Sequence, residues 1–280
     1  MDGRTVIITG AGSGIGLIAA RELARVGATV IAAVRDPAKA RPALAKLAGS
    51  VEVRQLDVSD LGSIRAFADA TEGTVDVLVN NAGVMDIPAQ RTADGFDLQT
   101  ATNYFGPFVL TNLLADRITG RVVSVTSQLH RRARLDLADL DWRTRAYNPM
   151  QAYCDSKLEV VLFSLELQRR LTAAGSPVRS VLAHPGIATT TLAAHSSANW
   201  INRLGLLLND PEHGALPTLY AVTQDVPANA YIGPDGPGSI KGYPIARHPG
   251  KSGLDAEVAG RLWEATAALT GVGAALGAAA

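Results

Sequence analysis

A β-branched run, Thr5-Val6-Ile7-Ile8-Thr9, breaks off into Gly10-Ala11-Gly12-Ser13-Gly14-Ile15-Gly16, and an alanine-rich helical pattern follows to Val26. A short, unalternating β-branched run suits a strand buried on both faces, as in a parallel sheet covered by helices. Parallel neighbours need long crossovers, so this opening commits the chain to alternating strands and helices. The same stretch has a chemical use. A strand, a glycine turn and a helix start aim unpaired backbone N–H groups and the positive helix end at one point, where a phosphate can sit and glycine lets the backbone come close. A tight strand-to-helix connection without a ligand would use the same residues.

The alternation continues. Strand patterns recur at 29–34, 51–56, 75–79, 121–127, 177–183 and 230–232. Helical periodicity appears at 38–48, after a cap at Ser59 or Asp60, from Phe96, from Pro149, at 211–223 and at 254–269. About seven strands with helices on both faces describe a doubly wound, parallel α/β sheet. At 280 residues and 47% hydrophobic content, with no linker or internal repeat, a single domain spanning 1–280 is the expectation. Residues 189–209, with Trp200 and Leu204, read as an apolar lid; 233–250 is a Gly/Pro-rich extended arm, which with the last helix spans 233–270; 271–280 is a frayed tail.

Basic and acidic side chains both number 26, which leaves no bulk field to draw the chain to nucleic acid or an anionic membrane. A small molecule is the expected partner. No apolar stretch approaches the ~20 residues of a membrane span, and the N-terminus runs straight into a strand without a signal core. The single cysteine, Cys154, excludes an internal disulfide. A cytoplasmic setting is therefore expected.

Tyr153 and Lys157 open a helix whose start is marked by Asn148 as cap and Pro149 in the first turn, and whose apolar stripe runs through Leu158, Val161, Leu162 and Leu165. Four residues apart, the phenol and the ammonium share a face. An amphipathic surface pair would look the same. Ser127 ends the fifth strand, where open α/β sheets bind ligands, although serines cap loops there too. Asn103-Tyr104-Phe105-Gly106-Pro107 is an odd helix interior, because proline deletes a backbone bond. Asp57 and Val58 close the third strand, Asn80-Asn81-Ala82-Gly83 the fourth, and His184-Pro185-Gly186-Ile187-Ala188-Thr189 the sixth. No Gly-x-Ser-x-Gly elbow surrounds Ser127 and no aspartate is placed to complete a triad, which sets hydrolase chemistry aside. No metal site is assigned.

The set Thr9-Gly10-x-x-x-Gly14-x-Gly16, Asn80-Asn81-Ala82-Gly83, Asn103, Ser127 and Tyr153-x-x-x-Lys157, in this order, resembles the short-chain dehydrogenase/reductase family over nearly the whole chain. Leu129-His130 and Asp139-Leu140-Asp141-Trp142, in the long segment after Ser127, look like its retinol-dehydrogenase and protochlorophyllide-reductase branch. The first motif departs from the usual dinucleotide fingerprint, which would need glycine where Ile15 stands. The resemblance implies a Rossmann-type fold and an enzyme that interconverts a ketone or aldehyde and an alcohol by hydride transfer with a nicotinamide cofactor. It implies Tyr153 as proton donor and acceptor, Ser127 orienting the substrate oxygen, Lys157 on the nicotinamide ribose, and Asn103 holding a water that links Lys157 to solvent. For the cofactor it implies contacts from Gly10, Ser13, Gly14, Ile15 and Gly16. Asp57 and Val58 would meet the adenine, Asn81, Ala82 and Gly83 would line the strand ends, and Pro185, Ile187 and Thr189 would lie toward the nicotinamide and phosphates. Val34 stands where NAD-using members carry an acid and Arg35 comes next, which favours NADP(H), with NAD(H) as the weaker alternative.

Many members of the family pair the helices corresponding to 103–114 and 150–171 across a two-fold axis, so a homodimer or homotetramer is expected. Arg131, Arg132 and Arg134 form either a mouth for an acidic substrate or a solvated loop face, and His130 is a candidate substrate hydrogen-bond partner. A catalytically silent NADP-binding regulator would be expected to lack part of the Ser127, Tyr153 and Lys157 set. An epimerase or dehydratase of the extended family would carry a different glycine spacing and a separate C-terminal domain. A free tyrosine titrates near pH ~10, so serving near neutrality requires about 4 kcal/mol. An ammonium at ~4 Å supplies about that much at an effective dielectric of ~20, so Lys157 is expected to favour the phenolate.

Overall fold

The computed structural model describes residues 1–186 and 210–273; the expected lid at 189–209 and residues 274–280 lie outside them. Strands β1 (Thr5–Thr9), β2 (Thr29–Val34), β3 (Ser50–Gln55), β4 (Val75–Asn80), β5 (Ile118–Val125), β6 (Arg179–Ala183), β7 (Tyr231–Pro234) and β8 (Pro244–Arg247) form one sheet in the order β3-β2-β1-β4-β5-β6-β7-β8. Helices α1 (Gly14–Arg25), α2 (Pro37–Leu44), α3 (Leu61–Asp69), α4 (Leu98–Thr100), α5 (Gly106–Leu113), α6 (Pro149–Ala173), α7 (Pro211–Thr223) and α8 (Ala256–Thr270) complete the Rossmann-type α/β arrangement.

Neighbouring strands run parallel up to β7, and β8 returns antiparallel, with Tyr231 opposite Arg247 and Pro234 opposite Pro244. The expected doubly wound sheet is present, and β8 brings it to eight strands from within the stretch read as an extended arm. Asp235 reverses the chain between β7 and β8: its N–H donates to the Tyr243 carbonyl oxygen (2.8 Å) and its Oδ1 accepts from the Tyr243 N–H (2.9 Å). A four-residue strand that opens on proline, amid glycines, has no alternation to read.

β1 lies between β2 and β4, so the chain leaves it in opposite directions on its two sides. The crevice that this reversal opens at the carboxyl ends of the strands faces the glycine turn at 10–16. Side chains alternate along β1. Ile7 joins Leu78, Phe105, Phe108 and Phe163 on one face, while Val6 and Ile8 join Leu23, Val30 and Val79 on the other.

Between α4 and α5, Ala101–Phe105 form a π-helical turn closed by the Gly106 N–H on the Ala101 carbonyl. Pro107 offers no N–H to the carbonyl four residues back, that of Asn103. Gly106 must lack a side chain, because a Cβ there would lie 1.9 Å from the Val58 carbonyl oxygen.

Trp263 of α8 stacks on Phe163 of α6, with ring centroids 5.8 Å apart and planes at 21°, and meets Phe108 of α5 edge-on at 4.8 Å. Arg170 lies 4.5 Å above the same indole. The surface of α5 and α6 through which the sequence predicts a two-fold pairing is thus covered by the chain's own last helix. The tail does not fray at its first residues either: Gly271 caps α8 in the left-handed conformation, and Trp263 Nε1 donates to the Gly273 carbonyl at 3.0 Å.

Candidate active site

The glycine turn is tied to the end of β4 through Thr9. Its Oγ1 accepts from the N–H groups of Asn81 (3.0 Å) and Ala82 (2.9 Å), and Asn81 Nδ2 donates to its carbonyl (2.8 Å). A Cβ on Gly16 would lie 2.5 Å from the Gly10 carbonyl oxygen and 2.6 Å from Asn81 Nδ2, so only glycine permits this junction. Ser13 stands at the N-cap of α1 but makes no capping bond with its side chain, and the first turn carries no acid. The first N–H groups of α1 therefore remain available to an anion.

The cleft beside this junction has a volume of about 410 Å³. Gly10, Ser13, Gly14, Ile15, Gly16, Arg35, Asp57, Val58, Asn81, Ala82, Gly83, Tyr153, Lys157 and Pro185 all line it. Ile187 and Thr189 lie outside the described residues. Asp57 does not cap α3; that role falls to Asp60, which accepts from Ser63 N–H at 3.0 Å. Asp57 Oδ1 accepts instead from the N–H (2.9 Å) and hydroxyl (2.6 Å) of Ser59, which keeps the Asp-Val pair against the cleft wall. The glycine cradle, the exposed helix start and the long reach from Arg35 to Pro185 fit a dinucleotide.

At the other end of the cleft, the Ser127 side chain draws the pKa of the buried Tyr153 phenol down, and Lys157 Nζ donates to the Val125 carbonyl at 3.1 Å. Ser127 caps the turn that follows β5 and also accepts from the Leu129 N–H (3.2 Å). A Cβ on Gly83 would lie 3.2 Å from Asn103 Oδ1 and 3.5 Å from Lys157 Nζ, which places both side chains behind the Asn-Asn-Ala-Gly turn. Asn103 uses its whole amide there: Oδ1 accepts from Val84 N–H (2.8 Å), and Nδ2 donates to the Val84 carbonyl and to Ser156 Oγ, each at 2.9 Å. The structure thus gathers Asn103, Ser127, Tyr153 and Lys157.

Their electrostatics depart from expectation. Burial pushes the Tyr153 phenol up to about 12, opposed by the Ser127 side chain, and burial pulls Lys157 down to about 8. Lys157 Nζ is 5.8 Å from the Tyr153 ring centroid. The sequence-based sum counted the ammonium and left out the desolvation that opposes charge on both groups. Cys154 is inert in the same sense, its thiol raised to about 11 by burial.

Three features escape the sequence. Lys39 lines the cleft one helical turn beyond Arg35, in the first turn of α2, where Asp36 accepts its N–H at 3.0 Å; the spacing of four is the only signal. Met85, Leu129 and Met150 pack together with Tyr153 in a small apolar cluster. These come from three separate segments that no local pattern joins. His130, offered as a substrate contact, is fully buried with both ring nitrogens at backbone carbonyls, whereas Arg131, Arg132 and Arg134 are exposed.

A doubly wound sheet with this cluster at its carboxyl edge places the protein among oxidoreductases acting on CH–OH and C=O groups. A family model for short chain dehydrogenase matches residues 4–139. Retinol dehydrogenase 13 of Homo sapiens is 40% identical over 290 residues, covering 96% of this chain and 85% of that protein. Polyprenol dehydrogenase of Mus musculus is 38% identical over 293 residues, covering 97% and 85%. The crystal structure of an uncharacterised protein from Mycobacterium paratuberculosis is 47% identical and superposes with a TM-score of 0.86, covering 97% of this chain and 94% of that one. The chain belongs to the short-chain dehydrogenase/reductase family, in its retinol-dehydrogenase-like branch. A more distant structure, from Beutenbergia cavernae and described as an NAD(P)-dependent gluconate 5-dehydrogenase, contains NADP; it is 26% identical, with a TM-score of 0.60 over 79% of this chain and 90% of that one. Among the described residues no helix is long and apolar enough to cross a membrane.

Proposed function

We propose that this enzyme, as one catalytic domain, interconverts an apolar aldehyde or ketone and its alcohol with NADP(H) as the preferred cofactor. The observation that carries this is the presence of Tyr153 and Lys157 on the wall of the same cleft that the glycine turn opens, with the Ser127 side chain acting on the phenol. A bound nicotinamide supplies or accepts the hydride. Tyr153 gives its hydroxyl proton to the substrate oxygen in reduction and takes it back in oxidation, and Ser127 orients that oxygen. A phenol at about 12 holds its proton firmly, which suits the donor role. Lys157, held by Val125, reaches the nicotinamide ribose and, when charged, eases proton loss from Tyr153. Asn103 has its amide committed to Val84 and Ser156, which leaves its backbone carbonyl, freed by Pro107, to hold the water that leads from Lys157 to solvent.

Two cations support the choice of NADP(H). Arg35 and Lys39 stand on the cleft wall beyond Val34, whose buried side chain offers no carboxylate to a ribose. A charge-assisted contact is worth ~1.5–3 kcal/mol, or roughly ten- to a hundredfold in affinity. NADPH should bind better than NADH by that factor in a fluorescence titration, and Arg35→Ala should remove most of the difference. Equal binding of both cofactors to the wild type would defeat the NADP assignment alone.

For the substrate, Met85, Leu129 and Met150 offer unbranched or flexible apolar chains around Tyr153. The names of the relatives, retinol and polyprenol dehydrogenase, point to substrates of that polarity. A panel of retinoid, prenyl and short polar alcohols and carbonyls, followed by NADPH formation or consumption, tests this. Turnover confined to polar members would refute the apolar assignment, and none on any member would refute the function. The cytoplasm is the proposed site of action. A homodimer or homotetramer would assemble through surfaces other than the α5 and α6 face that α8 covers.

A further inference from the structure

His130 lies three residues beyond Ser127 and is completely buried. Its Nδ1 is 2.6 Å from the Ser127 carbonyl oxygen and its Nε2 is 2.5 Å from the Pro249 carbonyl oxygen. Carbonyl oxygens only accept, so the ring must present an N–H to each one it bonds, and it serves both at once only as the imidazolium. Burial, with Arg131 adding to it, outweighs the pull of the two carbonyls and holds the ring below its ordinary pKa, so near neutrality it donates to one carbonyl while remaining lodged between both. The ring edge also packs on Tyr231 of β7, with centroids 5.9 Å apart. The Pro249 end of this bridge is itself anchored. A Cβ on Gly253 would lie 2.7 Å from Val161 Cγ1 and 3.0 Å from Pro249 Cβ, so the segment at 249–253 sits tightly on α6, the helix that carries Tyr153 and Lys157. Arg131 adds a second tie, donating from Nη2 to the His248 carbonyl at 2.6 Å.

Ser127 and Tyr153 arrive on different elements, and joint action on one substrate oxygen needs the turn after β5 to hold register with α6. We infer that His130 is a positioning residue that holds Ser127 at Tyr153 by fastening the Ser127 turn to the C-terminal segment seated on α6. It touches no substrate and acts through the Ser127 backbone. This rests on the assignment of Ser127 and Tyr153 to the reaction.

The test replaces His130 by Phe, which keeps a ring against Tyr231 and removes both nitrogens. Turnover should fall at least about tenfold, with NADPH affinity unchanged. Amide hydrogen exchange should rise in both 125–132 and 244–254. His130→Gln, which keeps a donor, should recover part of the turnover, and in His130→Gly added imidazole should do the same. Turnover in His130→Phe within about twofold of wild type would overturn the inference, as would unchanged exchange in 244–254. Should His130→Phe fail to fold, His130→Gln decides: wild-type exchange in both segments overturns the inference, and faster exchange in either supports it. A wild type that binds NADPH but converts no carbonyl or alcohol would sink the catalytic assignment instead, while the exchange data would still judge the bridge.

Discussion

Tyr153 and Lys157 are pushed apart by the same burial, the phenol up to about 12 and the ammonium down to about 8. The profile of kcat/KM against pH reports groups of the free enzyme. Reduction needs Tyr153 protonated, which holds below about 12, and Lys157 charged, which holds below about 8. Reduction should therefore decline as pH rises through the Lys157 value, and Lys157→Met should remove that limb while lowering the plateau. A flat profile from neutrality upward would contradict the role given to the lysine. Tyr153→Phe keeps the ring against Met85 and Met150 and removes only the hydroxyl. Its turnover should drop by at least the ~10² that acid catalysis commonly contributes, with NADPH still bound in titration. What could be seen of these residues beforehand was their spacing along one helix. What could not was the dielectric around them, because burial is set by segments distant in sequence: Leu129 and Met85 lie on opposite sides of α4 and α5 in chain order.

At the scale of elements, the strand, the glycine turn and the helix start are legible because their requirements are local. The Ser127 strand end and the cap of α6 are legible for the same reason. β8 is not, because a short strand opened by Pro244 shows no period of two. The burial of His130 is masked by the exposed arginines that follow it. Asp139 and Asp141, which the sequence offers only as landmarks of the resemblance, are buried, and Asp139 accepts the N–H groups of Arg143 (2.6 Å), Thr144 (3.1 Å) and Arg145 (3.0 Å). The π-helical turn is half legible, since Pro107 announces a broken helix but nothing nearby shows why Gly106 precedes it. Gly106→Ala would drive a methyl into the Val58 carbonyl, and Val58 lines the cofactor cleft. Overpacking of this kind costs about 1–3 kcal/mol. The urea midpoint of Gly106→Ala should fall accordingly and its KM for NADPH should rise. An unchanged midpoint would mean that the segment after the third strand and α5 can separate freely.

Over the whole molecule, α8 braces α6. Trp263, packed against Phe108 and Phe163, whose own ring centroids are 5.6 Å apart, with Arg170 above the indole, is the anchor of that contact. Trp263→Ala should cost about 3–5 kcal/mol, as large aromatic truncations in cores do, read as a lower urea midpoint. A loss below about 1 kcal/mol would show that the brace contributes little. The sheet itself ends in two strands of a particular kind. β3 is half exposed and carries the Arg54–Glu52 ion pair (2.6 Å), and β8 is four residues long and begins with Pro244, which has no N–H to offer. Unpaired edges are where one chain adds itself to another's ladder, and charge, brevity and proline each discourage that addition. A chain of this kind, crowded among copies of itself while folding, is protected at both rims of its sheet from being extended into a fibre.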